Sequence, residues 1–191
     1  MGLTTDHSRD DTPIVLGFPT YREPARRLAR SAGLDYDDIL IHNFPDNESL
    51  VRLPARLPPR VILCCSLDDP NHRLIELELA AATAAQLGAK HLTLVAPYLC
   101  YMRQDIAFNP GESVSQRIIG RLLARHLDTL ITVDPHLHRT SELSDAVPVR
   151  RALAFSASTL PSRTSRSTLP RRTWPRSRSA ARSRCSARPR S

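Results

Sequence analysis

A chain of 191 residues has room for one sizeable domain with a tail, or for two small domains. Its net charge of +8 would suggest a nucleic-acid or membrane partner. Ten arginines and no Lys, Asp or Glu lie between Ser156 and Ser191, however, and taking those ten from the 27 basic residues leaves 17 against 19 acidic, about −2 for residues 1–155. The basicity therefore belongs to the tail and not to the domain.

In chain order, residues 1–11 read as a disordered leader, polar and acidic, with no apolar stretch for secretion. No run elsewhere approaches membrane-spanning length, so the expectation is a cytoplasmic protein with no membrane partner. The run PIVLGF (13–18) predicts a first strand, and EPARRLARSAG (23–33) a short helix closed by Gly33, its arginines outward and Leu28 and the alanines inward. In DDILIHNFPDNESLVRLP (37–54) two strand patterns flank Pro45-Asp46-Asn47, a turn signal built on the fixed φ of Pro and side chains that tolerate turn geometry. RVILCCS (60–66) is continuously apolar, as expected of a strand covered on both faces. Cys64 and Cys65 fall inside it as small buried hydrophobes; with Cys100 and Cys185 they form no C-x-x-C pair or disulfide-like spacing, which suits a reducing compartment.

The Ala-rich stretch HRLIELELAAATAAQLG (72–88) predicts a helix with Gly88 just past its end, and HLTLVAPY (91–98) the next strand. Ser113 with Gln116 three residues on has capping-box spacing, and Ile118, Ile119, Leu122, Leu123 and His126 predict one buried stripe on the helix that follows. TLITVD (129–134) closes the unit. Strands alternating with helices predict an α/β fold with a mostly parallel sheet. After AVPVRRALAF (146–155) the pattern stops. Residues 156–191 have Trp174 as their only aromatic and no periodicity, and are expected to form a disordered Arg/Ser/Pro-rich tail, not a second domain.

Three constellations carry chemistry. Arg103, Gln104 and Asp105 follow one strand: Arg pairs with phosphate oxygens, Gln bonds a base edge or ribose, and Asp holds a hydrated metal or orients the Arg. The bland alternative is a polar surface loop. Asp134, His136 and His138 follow the next strand at a two-residue spacing that turns them the same way, toward a cation or simply into solvent. No His follows His138 and Asp145 is the last acidic residue, which argues against a dedicated zinc site of the hydrolase kind. Phe44, Asp46 and Glu48 sit on the Pro-Asp-Asn turn, where an exposed Phe can stack on a purine.

Together, PYLCYMRQD followed by VDPHLH, with FPDNE upstream and NHRLIELELAAATAAQLGAKHLTLV between, resemble ribose-phosphate diphosphokinase, also called phosphoribosyl pyrophosphate synthetase. The resemblance covers about residues 13–155. It implies a phosphoribosyltransferase-like α/β domain over residues 12–155, the first of two such domains in that family. It also implies transfer of the diphosphoryl group of ATP to ribose 5-phosphate, with Mg²⁺, giving phosphoribosyl diphosphate and AMP. On this resemblance Phe44, Asp46 and Glu48 contact adenine and ribose, often across a subunit interface. Arg103 and Gln104, with Asp105 beside them, contact ATP, while His136 and Asp134 face Mg²⁺ and the phosphates. Diphosphoryl transfer needs positioning and charge neutralisation more than covalent chemistry, so Arg and Mg²⁺ form a sufficient cast.

The chain departs from the family pattern at Asn47, a mild change, and at Pro135, which removes a backbone donor beside the metal position. The larger departure is the stretch after Phe155. The family's catalytic Lys/Arg loop and its acidic ribose-5-phosphate loop have no counterpart, and Lys90 is the only lysine. The switch in composition is expected of a frameshifted or truncated product, inactive alone, with an apolar face left open and a homo-oligomer or a full-length relative as partner. Two other readings are a non-catalytic nucleotide-binding or regulatory subunit, and nucleic-acid binding through the tail; the near absence of aromatics disfavours the second.

Overall fold

The structure, a computed structural model, describes residues 12–159. The leader 1–11 and nearly all of the basic tail lie outside the described residues. Eight strands and four helices follow in the order β1 (Ile14–Gly17), α1 (Arg22–Ala32), β2 (Asp35–Asp38), β3 (Leu40–Asn43), β4 (Ser49–Arg52), β5 (Arg60–Cys64), α2 (Pro70–Gln86), β6 (His91–Val95), α3 (Ser115–Leu123), β7 (Thr129–Val133), α4 (Leu143–Ala146) and β8 (Arg151–Phe155). Six strands form one wholly parallel sheet in the order β2-β1-β5-β6-β7-β8, and β3 and β4 form a separate antiparallel hairpin. The expected α/β fold with a parallel sheet is what the chain adopts.

Side-chain alternation along the strands divides the core. Leu16, Leu63, Leu94 and Leu130 face one way and meet Leu74, Leu77 and Ala81 of α2 and Leu123 of α3. Val15 and Cys64 face the other way, against Ala25 and Ala29 of α1. Each fully buried Leu contributes roughly 1.5–3 kcal/mol, so the α2 face dominates the stability of the domain. The α1 face is covered only at one end. Val95, Ile131 and Leu153 stand in register across β6, β7 and β8, and Leu153 and Phe155 remain 44% and 47% exposed. Val95 packs partly against the α1 cluster and Ile131 is half-buried, so the open part of that row is Leu153, with Phe155 beyond it.

Four local expectations change. Leu28 is exposed, because Ala25 and Ala29, one turn apart, set the buried line of α1 and Leu28 falls to its flank. β2 was not expected, since its sequence Asp35-Tyr36-Asp37-Asp38 has no apolar alternation. Its inner positions are filled by an ion cluster instead: Asp38 accepts from Arg22 Nε at 2.8 Å, from Arg26 Nη2 at 3.0 Å and from the Tyr36 hydroxyl at 2.5 Å.

The capping box at Ser113 and Gln116 does not form. Val114 stands at the N-cap with no side-chain bond, and Gln116 turns inward, donating to Met102 O at 3.3 Å. The buried line of α3 is accordingly Gln116, Gly120 and Leu123, while Ile118 is 57% exposed. Gly120 sets that rotation. A Cβ there would lie 1.8 Å from Ala146 O, so α4 packs directly on the helix backbone. Elsewhere the turn chemistry is as expected: Gly33 closes α1 at φ 65°, and Asn47 takes φ 69° at the hairpin tip.

Candidate functional site

The segments after β6 and β7 emerge side by side at the carboxyl end of the sheet, the usual ligand end of an open parallel sheet. Backbone bonds hold their bases together: Ala96 N–H donates to Ile131 O at 2.9 Å and Val133 N–H to Pro97 O at 3.3 Å. Past that point the first loop carries Arg103, Gln104 and Asp105, and the second carries Asp134, His136 and His138. The structure thus brings two of the three sequence constellations to one edge.

Their side chains have different duties. Asp105 is buried and pairs with Arg139 Nη1 at 2.8 Å, not with Arg103 beside it. Gln104 is held by Ser115, whose hydroxyl donates to its Oε1 at 2.9 Å, and its backbone oxygen accepts from Gln116 N–H at 3.1 Å. The amide nitrogen of Gln104 makes no hydrogen bond among the described residues. Gln116 completes the join, accepting from the Thr140 hydroxyl at 3.1 Å while it donates to Met102 O. Arg103 is exposed and makes no hydrogen bond or ion pair among the described residues, so its guanidinium is free to meet an anion.

Asp134 has φ 42°, and its Oδ2 accepts from Ala157 N–H at 3.0 Å, while its own N–H donates to Phe155 O at 2.8 Å. This carboxylate therefore ties the end of β7 to the end of β8 and keeps one oxygen for anything else. His136 and His138 are both exposed, their rings 5.8 Å apart at a steep angle. Among the described residues no group of three His, Cys, Asp or Glu side chains gathers as a metal cage. One free carboxylate oxygen, with two exposed imidazoles two and four residues further along the loop, fits a hydrated Mg²⁺ delivered on phosphate oxygens, which keeps most of its waters, and does not fit a closed zinc site.

The hairpin residues lie apart from this edge. Phe44 is 40% exposed, with its ring edge-on to His42 at 4.9 Å, and Asp46 caps the turn by accepting from Glu48 N–H at 3.2 Å. No hydrogen bond, ion pair or ring contact among the described residues joins Phe44, Asp46 or Glu48 to Arg103, Gln104, Asp134 or His136. The nearest link is indirect. Tyr101, in the loop after β6, donates from its hydroxyl to Asn71 Oδ1 at 2.6 Å, and Asn71 borders the same groove as Glu48. Sequence reasoning passed over Arg139 and Ser115, and gave Gln116 a capping role in place of the one it has here. Arg139 directly follows the His-x-His and was open to notice; the roles of Gln116 and Ser115 exist only once the helix has turned.

A separate set of electrostatic shifts surrounds β2. Burial pushes the Tyr36 hydroxyl up to about 12, helped by its bond to Asp38. Burial alone would raise Asp38 too, but the bonds from Tyr36 and Arg22 and the two nearby guanidiniums outweigh it and hold the carboxyl below its ordinary value.

Residues 14–126 match the family model for the N-terminal domain of ribose phosphate pyrophosphokinase. The chain belongs to that family. Similar relatives include the ribose-phosphate pyrophosphokinase of Methanopyrus kandleri, 35% identical over 142 residues, a match covering 74% of this chain and 48% of the relative. The namesake from Saccharolobus solfataricus is 43% identical over 104 residues, covering 53% and 35%. The chain thus spans about half the length, or less, of the relatives it matches. A crystal structure of phosphoribosylpyrophosphate synthetase from Mycobacterium smegmatis superposes with a TM-score of 0.67 at 20% identity, over 77% of this chain and 49% of that one. That likeness speaks for the fold. All these matches fall within the ribose-phosphate pyrophosphokinase family that PYLCYMRQD and VDPHLH suggested. Among the described residues no helix is long and apolar enough to cross a membrane.

Proposed function

We propose that this domain forms the nucleotide half of a ribose-phosphate pyrophosphokinase site, binding Mg-ATP for transfer of its diphosphoryl group to ribose 5-phosphate. The observation that carries the proposal is the pair at 2.8 Å between buried Asp105 and Arg139, which locks the loop bearing Arg103 and Gln104 to the loop bearing Asp134 and His136. With the loops so joined, Arg103 meets the phosphates and the free amide of Gln104 meets a ribose or base edge. Asp134 and His136 hold the hydrated Mg²⁺. The ion, when bound, neutralises phosphate charge as the bridging oxygen departs. Phe44, Asp46 and Glu48, remote from that edge, serve adenine across an interface with a second subunit, a homo-oligomer or a longer relative.

The residues described here supply no counterpart of a second sugar-phosphate domain, and the chain's single lysine, Lys90, lies exposed at the amino end of β6, opposite the site. The chain alone therefore binds Mg-ATP without turning it over, which keeps a regulatory nucleotide-binding subunit as the second reading. The test is a coupled assay for AMP from ATP, Mg²⁺ and ribose 5-phosphate, run beside thermal stabilisation by Mg-ATP. The proposal expects stabilisation that Arg103→Gln weakens, and no AMP from the chain alone. Sugar-dependent AMP from the chain alone would show that it holds a complete site. Absence of stabilisation would remove the nucleotide reading itself.

A further inference from the structure

The strand order turns back at β1, with β2 on one side of it and β5 on the other. The carboxyl ends of two such strands are where an open parallel sheet splays its loops apart and leaves room for a ligand. A cleft of about 510 Å³ lies there, between the loop after β1, the β3–β4 hairpin and the first turns of α2, a volume suited to a small molecule. It is separate from the edge beyond β6 and β7, and shares none of Arg103, Gln104, Asp134 or His136.

Two side chains in this cleft lack the partners that burial demands. Arg73 donates through Nη1 to the hydroxyl of Thr20, which brings its guanidinium to the end of β1, while its Nε is buried without a hydrogen-bond partner. Glu76, one turn further along α2, is 6% exposed, and its one hydrogen bond among the described residues is a long one, from Ser49 Oγ at 3.4 Å. No ion pair joins the two. A buried carboxylate short of donors is costly, and a ligand in the cleft can supply them; the Nε of Arg73 is closed to such a ligand, so an anion would meet this guanidinium through its other nitrogens. The ligand must present anionic oxygens toward Arg73 and hydroxyl groups toward Glu76. His42 and His72 line the same cleft and add ring nitrogens, and α2 opens beside it with no side-chain cap on its first turn. The positive end of a 17-residue helix favours the anion on that side. A phosphate has enough oxygens to serve the Arg fork and further donors at once, where a carboxylate has two.

We propose that this cleft binds a small hydroxylated phosphate ester, its phosphate on Arg73 and its hydroxyls on Glu76. The site is additional to the nucleotide edge and does not depend on it.

Calorimetric titration of the full chain with ribose 5-phosphate and, separately, with inorganic phosphate tests the proposal. Ribose 5-phosphate saturates and binds more tightly than phosphate. Arg73→Gln weakens ribose 5-phosphate by about tenfold or more, the loss of a charge-assisted bond, while Arg103→Gln leaves it unchanged and weakens Mg-ATP. Glu76→Gln removes the preference for the sugar ester and leaves phosphate binding in place. The proposal is overturned by equal binding of the two probes, by indifference to Arg73→Gln, or by no saturable binding. Should a substitution disturb folding, amide NMR on the unsubstituted chain decides: shifts at Thr20, Asn43 and His72 support the site, and shifts confined to the loops after β6 and β7 sink it.

Discussion

Asp105 and Arg139 lie 34 residues apart in sequence, on loops that follow neighbouring strands, and meet at 2.8 Å with the carboxylate 4% exposed. The pair is asymmetric. Arg139 is 54% exposed and would be solvated alone, whereas Asp105 would be left as a buried charge. Removing the arginine should therefore hurt more than a surface ion pair would suggest. Arg139→Met is expected to cost about 1–3 kcal/mol in urea unfolding. Asp105→Asn should cost less, because the amide can be buried uncharged. Equal and negligible losses would show that the two loops are joined by something else.

Gly120 sets two known effects against each other. Helix propensity favours Ala over Gly by roughly 1 kcal/mol. The added Cβ would meet Ala146 O at 1.8 Å, a backbone atom that cannot swing aside. Overpacking of this kind costs about 1–3 kcal/mol or more and should win. Gly120→Ala is expected to lower the melting temperature; a rise would mean that α4 is free to move away.

The Tyr36–Asp38 bond makes stability depend on pH at both ends of the scale. Asp38 is held below its ordinary value, so its contribution is present above about pH 4, where the unfolded chain is ionised, and is lost as pH falls through the folded value. Tyr36 is raised to about 12, so its contribution is present below pH 10 and is lost as pH rises toward 12. Tyr36→Phe should weaken the alkaline loss and remove a component near pH 12 from the ultraviolet titration of the folded protein. An unchanged titration would count against the bond.

Burial pushes the thiols of Cys64 and Cys100 up, to about 11 and about 12, and raises Cys65 further still. In a chain carrying Cys185→Ser, thiol reagents at pH 8 should label none of the three until denaturant is added. Fast labelling of any one in the folded protein would contradict the packing around the end of β5 and the loop after β6.

The open end of that row, Leu153 with Phe155 beyond it, should promote self-association. Sedimentation is expected to show assemblies that Leu153→Ser with Phe155→Ser reduces. A monodisperse monomer before substitution would show the face to be covered.

Much of the fold was legible before any coordinates, because the hydrophobic runs at 13–18, 60–66, 91–98 and 129–134 are long enough to pair and too apolar to be exposed. Gly33 and the Pro45-Asp46-Asn47 turn were legible for a different reason: their backbone conformations are local properties. β2 escaped notice because it closes on the charged pairs of Tyr36, Asp38, Arg22 and Arg26, which leave no hydrophobic pattern. The inward turn of Gln116 escaped because capping-box spacing is necessary for that bond and not sufficient.

The sequence by itself determined the order of the strands and helices other than β2 and α4, the family, and which two loops carry charge at strand ends. Each of those follows from residues near one another in the chain. Only the tertiary structure decided that Asp105 takes Arg139 and leaves Arg103 free, that the hairpin stands apart from the loops it was grouped with, and that Arg73 and Glu76 share a cleft. Those pairings depend on which strands are neighbours and how far each helix is rotated, and rotation is set by contacts such as Gly120 against Ala146 that no local pattern records.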